Sequence, residues 1–284
     1  MEPPSCSSKS LQALQHYKED TKSLPVAELH KLRLDLSACL HLRMPWDFWL
    51  IFLFLGVILP WRGLQRVRRL IAIPEVTSAH RIRLYVWTIL FQWALAVIVA
   101  WRALARGLTW RDLGLATGFS ASILFITALG ATLIAIVHWV NLRRLAETDH
   151  PAIESLRALG SRLFPRQAIE FAFYILLALT AGLCEESVFR GFVIAVLFRA
   201  GLSAWLVVVL SSAMFGVAHL YQGKSGSIGT GLLGIFFASA KIAYHSLFPV
   251  VLWHAVLDII AGIAGSKYFV RGPVKQGVRV ANHP

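Results

Sequence analysis

Apolar residues run along this chain in long blocks, and polar residues gather in the breaks between them. The first block, PWDFWLIFLFLGVILPW (45–61), is short and bounded by Pro45 and Pro60. LYVWTILFQWALAVIVAW (84–101) and FSASILFITALGATLIAIVHWV (119–140) follow. Each can cross a hydrocarbon layer of ~30 Å at ~1.5 Å per residue. A charged, Pro-containing stretch at 141–167 precedes AIEFAFYILLALTAGLC (168–184). The second half is denser: SVFRGFVIAVLF (187–198), LSAWLVVVLSSAMFGVAHLY (202–221), SIGTGLLGIFFASAKIAY (227–244) and SLFPVVLWHAVLDIIAGIAG (246–265). In lipid only helices and closed barrels satisfy every backbone polar group. The pattern therefore predicts an all-α, polytopic membrane protein with about eight transmembrane helices, the fifth too short to cross alone.

Before the first block, residues 1–45 are polar and mixed in charge. Leu24, Leu29, Leu32, Leu36 and Leu40 recur there at helical spacing, which reads as an interfacial helix or small cap rather than a signal peptide. The organisation is a polar N-terminal segment (1–45), a transmembrane domain (46–265) and a basic tail (266–284).

Composition supports the membrane class. Hydrophobic residues make up 57% and charged residues 15%, against roughly 25% charged in soluble domains. The net charge of +13 would suit a nucleic-acid binder, but the basic residues sit between apolar blocks, as in WRGLQRVRRL (61–70), RIR (81–83) and VKQGVR (274–279). That placement attracts anionic lipid headgroups, and no nucleic-acid motif accompanies it. Lysine and arginine are nearly balanced between the two sides, so they set no orientation. Cys6, Cys39 and Cys184 form no CxxC, and Cys184 reads as a small residue at a helix contact.

The informative polar groups lie within the second half, whereas the first four blocks hold hardly any charge to bury. Glu185, Glu186 and Arg190 follow an uncharged run; His219 stands one turn after Phe215; His254 and Asp258 are four apart. On a helix Glu186 and Arg190 share a face and can offset part of each other's burial cost, while Glu185 points about 100° away. Ionisable groups inside a membrane domain point to a functional site. A carboxylate and a histidine can hold a water and take its proton while another polar pair stabilises an oxyanion.

The ordered trio Glu185-Glu186-Ser-Val-Phe-Arg190, Phe215-Gly-Val-Ala-His219 and His254-Ala-Val-Leu-Asp258 resembles the EExxxR, FxxxH and HxxxN/D motifs of the CPBP family of intramembrane proteases. That family is also called the ABI or type II CaaX prenyl protease family. The resemblance covers about 110–265, with RDLGL (111–115) and Ser246-Leu247 also similar. It implies a helical fold with a conical intramembrane cavity, and an endopeptidase acting on a membrane-associated protein or peptide, of CaaX type or bearing a sorting signal. It further implies Glu185 as general base, His219 as holder of the water, and His254 with residue 258 as oxyanion stabilisers. Glu186, Arg190 and Phe215 would brace them. Asp258 could donate a hydrogen bond only if protonated; the alternative, that it orients His254 as an acceptor, is favoured.

No cofactor is expected. The alternative is a zinc-dependent intramembrane metalloprotease with Glu185, His219 and His254 as ligands, although no HExxH occurs. A proton-coupled transporter is a further alternative, but no inverted repeat is visible. So is a non-catalytic membrane partner. Substrate and bilayer are the expected partners, nucleic acid is not, and there is room for a membrane partner protein.

Overall fold

The computed structural model describes residues 44–116, 118, 120–147 and 159–270. The expected interfacial helix before residue 44 and the tail beyond 270 lie outside the described residues. Among the described residues seven helices have 15 residues or more: α1 (Trp46–Ala72), α2 (Ser78–Ala105), α3 (Ala121–Glu147), α4 (Ala168–Arg199), α5 (Ala204–Ala218), α6 (Gly223–Tyr244) and α7 (Phe248–Val270). By length and composition, six stretches can cross a membrane, and α5 is the shorter apolar helix. The protein is an all-α, multi-pass integral membrane protein.

The approximate count of eight resolves into seven because the blocks at 168–184 and 187–198 are one helix, α4. The intervening Glu185-Glu186-Ser187 contains no proline or glycine to stop a helix. Its charges find partners inside the bundle, so the apolar run is interrupted while the backbone continues. The helix passes into a π segment over Ser187–Val193, where six of seven residues are buried. Such π turns recur at functional sites.

α2 and α4 run side by side and parallel, tied at three levels. Near their starts, Arg81 donates from Nε and Nη2 to the two carboxylate oxygens of Glu170, at 2.9 and 3.0 Å. Midway, Gln92 Nε2 donates to Glu185 Oε1 at 2.8 Å. At their ends, Arg199 Nη1 donates to the Arg106 carbonyl at 2.7 Å. The start of α1 is held to the same end, since Asp47 Oδ2 accepts from Arg102 Nε at 2.7 Å and Arg106 Nε at 3.2 Å.

Asp47, Arg81 and Glu170 are buried, which corrects the expectation that the first four blocks bury hardly any charge. Each lies in the first turn of its helix, where sequence alone reads it as a flank in contact with headgroups. Lateral packing carries these flanks inside.

The inner surfaces of α1, α4 and α5 meet in a core containing Phe48, Leu55, Phe192, Val193 and Val207. A second core joins α6 and α7 through Phe237, Leu247, Val250 and Trp253. At Gly182 two helix backbones come close, since a Cβ there would stand 2.7 Å from the Val251 carbonyl oxygen. Small residues let membrane helices pack this closely, and Gly182 brings α4 onto α7 one turn before Glu186. The RDLGL stretch docks near the start of α7, where Leu247 N donates to the Gly114 carbonyl at 3.0 Å. Large apolar side chains such as Trp87, Trp93, Phe125 and Leu133 stay exposed, as lipid-facing surface requires.

Removing one member of the Arg81–Glu170 pair strands a buried charge. Glu170→Gln is expected to destabilise the protein by about 3 kcal/mol, read as a lower unfolding midpoint in detergent. The double variant Arg81→Met/Glu170→Leu should recover most of that loss, because neither charge is then left alone.

Candidate active site

Glu185 and Glu186 sit where α4 turns from α to π geometry, 17 and 18 residues from its start at Ala168. That is roughly 25 Å along the axis at ~1.5 Å per residue, near the middle of the helix. Being consecutive, they face different surroundings.

Glu186 is fully buried. Its Oε1 accepts from Arg190 Nη1 at 3.0 Å and stands 2.7 Å from His254 Nδ1. A carboxylate oxygen flanked by a guanidinium accepts, so His254 carries a proton on Nδ1. The Arg190 guanidinium lies over Phe215, 3.9 Å from the ring centroid, a cation–π contact in a dry setting. Phe215 is also 4.5 Å from the His219 ring and 6.1 Å from that of His254, centroid to centroid. It is the slab on which both imidazoles and the guanidinium rest.

His219 closes α5. Its Nδ1 is 2.8 Å from the Phe215 carbonyl oxygen, one of the carbonyls a helix end leaves without a backbone partner. A carbonyl only accepts, so Nδ1 carries the proton. In the neutral ring Nε2 is then an acceptor, and it points at Glu185 Oε2 from 3.7 Å. Close packing sets this height: Ser227 Oγ of α6 donates to the Gly216 carbonyl at 2.6 Å, and a Cβ on Gly216 would meet the Ser227 carbonyl oxygen at 2.9 Å.

Glu185 keeps 22% of its side chain exposed. Gln92 holds Oε1, and Oε2 lies 3.7 Å from His219 Nε2 and 3.9 Å from His254 Nε2. Asp258 Oδ2 is 3.7 Å from His254 Nε2, with its side chain 39% exposed. The structure thus brings Glu185, His219, His254 and Asp258 together, with the side chains of Glu185 and Asp258 partly exposed.

One expectation changes. Asp258 does not orient His254, because 3.7 Å exceeds hydrogen-bond length and Nδ1 is taken by Glu186. The pairing that looked natural from the i, i+4 spacing on α7 gives way to one across helices, which the Gly182 approach makes short enough. The zinc alternative draws on the same atoms. The ligand atoms around Glu185 Oε2 are wider apart than the roughly 3.3 Å between ligands on tetrahedral zinc with bonds near 2.0–2.1 Å. Among the described residues no three His, Cys, Asp or Glu side chains form a metal-ligand group.

Gln92 was missed, although the signal was there: an amide in the middle of an apolar block. A search confined to ionisable groups passes over it. Tyr221 was also missed; its ring stands 5.6 Å from that of His219. Tyr174, whose hydroxyl donates to the Asp258 carbonyl at 3.2 Å, is a third. Both tyrosines come from segments that look like ordinary span residues.

Fold and site together define a polytopic membrane protein with a carboxylate–imidazole centre among its helices. Residues 167–260 match the family model for the type II CAAX prenyl endopeptidase, Rce1-like. The match takes in all three motifs and supports a likeness to the CPBP/CAAX proteases over that part of the chain. No curated protein and no solved structure gives a match.

The Gly182 contact yields a direct test of how the site is assembled. Gly182→Ala is expected to cost about 1–3 kcal/mol by overpacking, and Gly182→Val more, both read by thermal unfolding in detergent.

Proposed function

We propose that the protein is an intramembrane endopeptidase that hydrolyses a peptide bond of a membrane-associated protein or peptide through water activated by Glu185 and His219. The family-model match over residues 167–260 supports the coarser statement, a CAAX-type protease. One observation carries the finer one. Glu185 Oε2 and His219 Nε2 are both acceptors, and they face each other across 3.7 Å. Two acceptors at that distance are reconciled by a shared donor, and water is the donor that peptide hydrolysis needs.

In this reading Glu185 takes a proton as the water oxygen attacks the carbonyl carbon of the scissile bond. The developing oxyanion lies beside His254 Nε2, and His254, held at Nδ1 by Glu186, donates to it as the imidazolium. Collapse of the tetrahedral intermediate breaks the C–N bond, and the proton on Glu185 passes to the leaving amine. Gln92 keeps Glu185 turned so that Oε2 stays on the water. Asp258 faces the same space as His254 Nε2 and meets the substrate rather than the ring; as a hydrogen-bond donor to the oxyanion it must be protonated.

Terminal-peptide profiling of host membranes tests the reading. Glu185→Gln keeps shape and removes the base, so specific cleaved termini should vanish at matched expression, a loss on the order of 10²–10⁴ in rate. Identical profiles would turn the reading to a non-catalytic membrane partner. Asp258→Asn, which donates at any pH, should retain cleavage if Asp258 acts as a donor, and abolish it if the carboxylate itself is required. Chelators should leave cleavage unchanged; inhibition reversed by zinc would favour the metalloprotease alternative.

A further inference from the structure

A cavity of about 400 Å³ lies away from the carboxylate–imidazole centre, lined by Gly107, Leu108, Asp112, Phe198, Arg199 and Lys241 among others. That is within the roughly 300–1,000 Å³ of small-ligand sites. Lys241 of α6 is only 8% exposed. Its stem packs beside Gly114, where a Cβ would come 3.2 Å from Lys241 Cε. Among the described residues its ammonium has no hydrogen bond and no ion pair within 4.0 Å.

The acid that faces it offsets its charge only in part. Asp112 faces Lys241, but its Oδ2 accepts from Thr109 N and Thr109 Oγ1, each at 2.7 Å. Those hydrogen bonds from Thr109 hold the Asp112 carboxyl below the usual carboxylate range, so it stays ionised and committed to its own turn. Arg199, on the rim, uses one N–H on the Arg106 carbonyl at 2.7 Å; a guanidinium has five. The wall therefore carries two cations against one occupied carboxylate. An ammonium on a mostly buried side chain, in a wall with one positive charge in excess, is costly, and an anion in the cavity offsets that cost.

The position names the anion. The cavity lies where α2, α4 and α6 end. That end of the bundle carries exposed Trp46, Trp101, Trp110 and Trp205, the amphipathic rings that sit at headgroup level. Phe198, half exposed beside Arg199, offers an apolar edge next to the charge. We propose that this cavity binds the phosphate group of a membrane phospholipid, with Lys241 as its buried counter-charge and Arg199 as its outer one.

Native mass spectrometry of the full-length protein in detergent, titrated with phosphatidylglycerol, tests the site. The wild type is expected to retain one lipid that Lys241→Met binds about tenfold or more weakly, the value of one charged hydrogen bond. Lys241→Arg should keep it, and Arg68→Gln, on an exposed residue at the opposite end, should change nothing. Equal retention by wild type and Lys241→Met overturns the proposal. Inorganic phosphate arbitrates the source. If it binds as tightly as the lipid and displaces it completely, the ligand is a soluble phosphate and the lipid assignment falls. Should Lys241→Met fail to fold, Asp112→Asn serves instead: removing the single carboxylate must tighten lipid binding several-fold, and unchanged or weaker binding overturns the proposal.

Discussion

One carboxylate oxygen, Oε1 of Glu186, is the point on which the interior depends. It receives Arg190 from its own helix and His254 from α7, at 3.0 and 2.7 Å. Either charge alone would be untenable at full burial, since an unpaired ion in low dielectric costs several kcal/mol. Joined, they anchor α4 to α7, and the guanidinium presses Phe215 of α5 into the same junction. Three helices are thus fixed by an arrangement centred on one atom. The ring of His254 can take little other orientation while Nδ1 is held there, and its Nε2 is aimed as a consequence.

That junction needs helices that come close, and the sequence supplies them with glycines near Glu186 and His219. Gly182 admits the backbone of α7 one turn before Glu186, and Gly216 admits α6 just before His219. Placement of the polar side chains therefore follows from backbone proximity, not from the length or flexibility of the side chains. The parallel pairing of α2 with α4 adds the remaining constraint. Its outer ties, Arg81 to Glu170 and Arg199 to Arg106, fix the register, and register is what lets Gln92 reach Glu185 at mid-helix.

Much of this was legible in the sequence. Apolar blocks gave the helical class, since a membrane leaves the backbone few alternatives. The spacing of Glu186 and Arg190 gave their pairing, because i, i+4 on one helix is local geometry. Contacts between helices were not legible in the same way. The His254–Asp258 spacing suggested a bond that the structure replaces with His254–Glu186, and the two options differ only in how close α4 lies to α7. Arg81 and Glu170 looked like flanking charges, since a linear hydropathy pattern cannot tell a headgroup from another helix. Gln92 carries no charge, so it left no mark on a search for costly burial. Counting eight helices had the same origin: a polar interruption inside α4 resembles a loop when its partners are on other helices.

Glu185 and Glu186 are chemically identical neighbours, yet their surroundings divide them. Glu186 has cationic and N–H partners on one oxygen and no exposure, so it is bound into the scaffold. Glu185 has a single neutral amide on Oε1, partial exposure, and an Oε2 turned toward two imidazole nitrogens. The roughly 100° between successive helical residues is enough to send one carboxylate inward and the other toward the partly exposed side. Pairs of acids placed in unlike environments are how a single fold separates a structural carboxylate from a reactive one. On this view the cost of burying Arg190 is offset at Glu186, and it is this that frees Glu185 for the role of base proposed above.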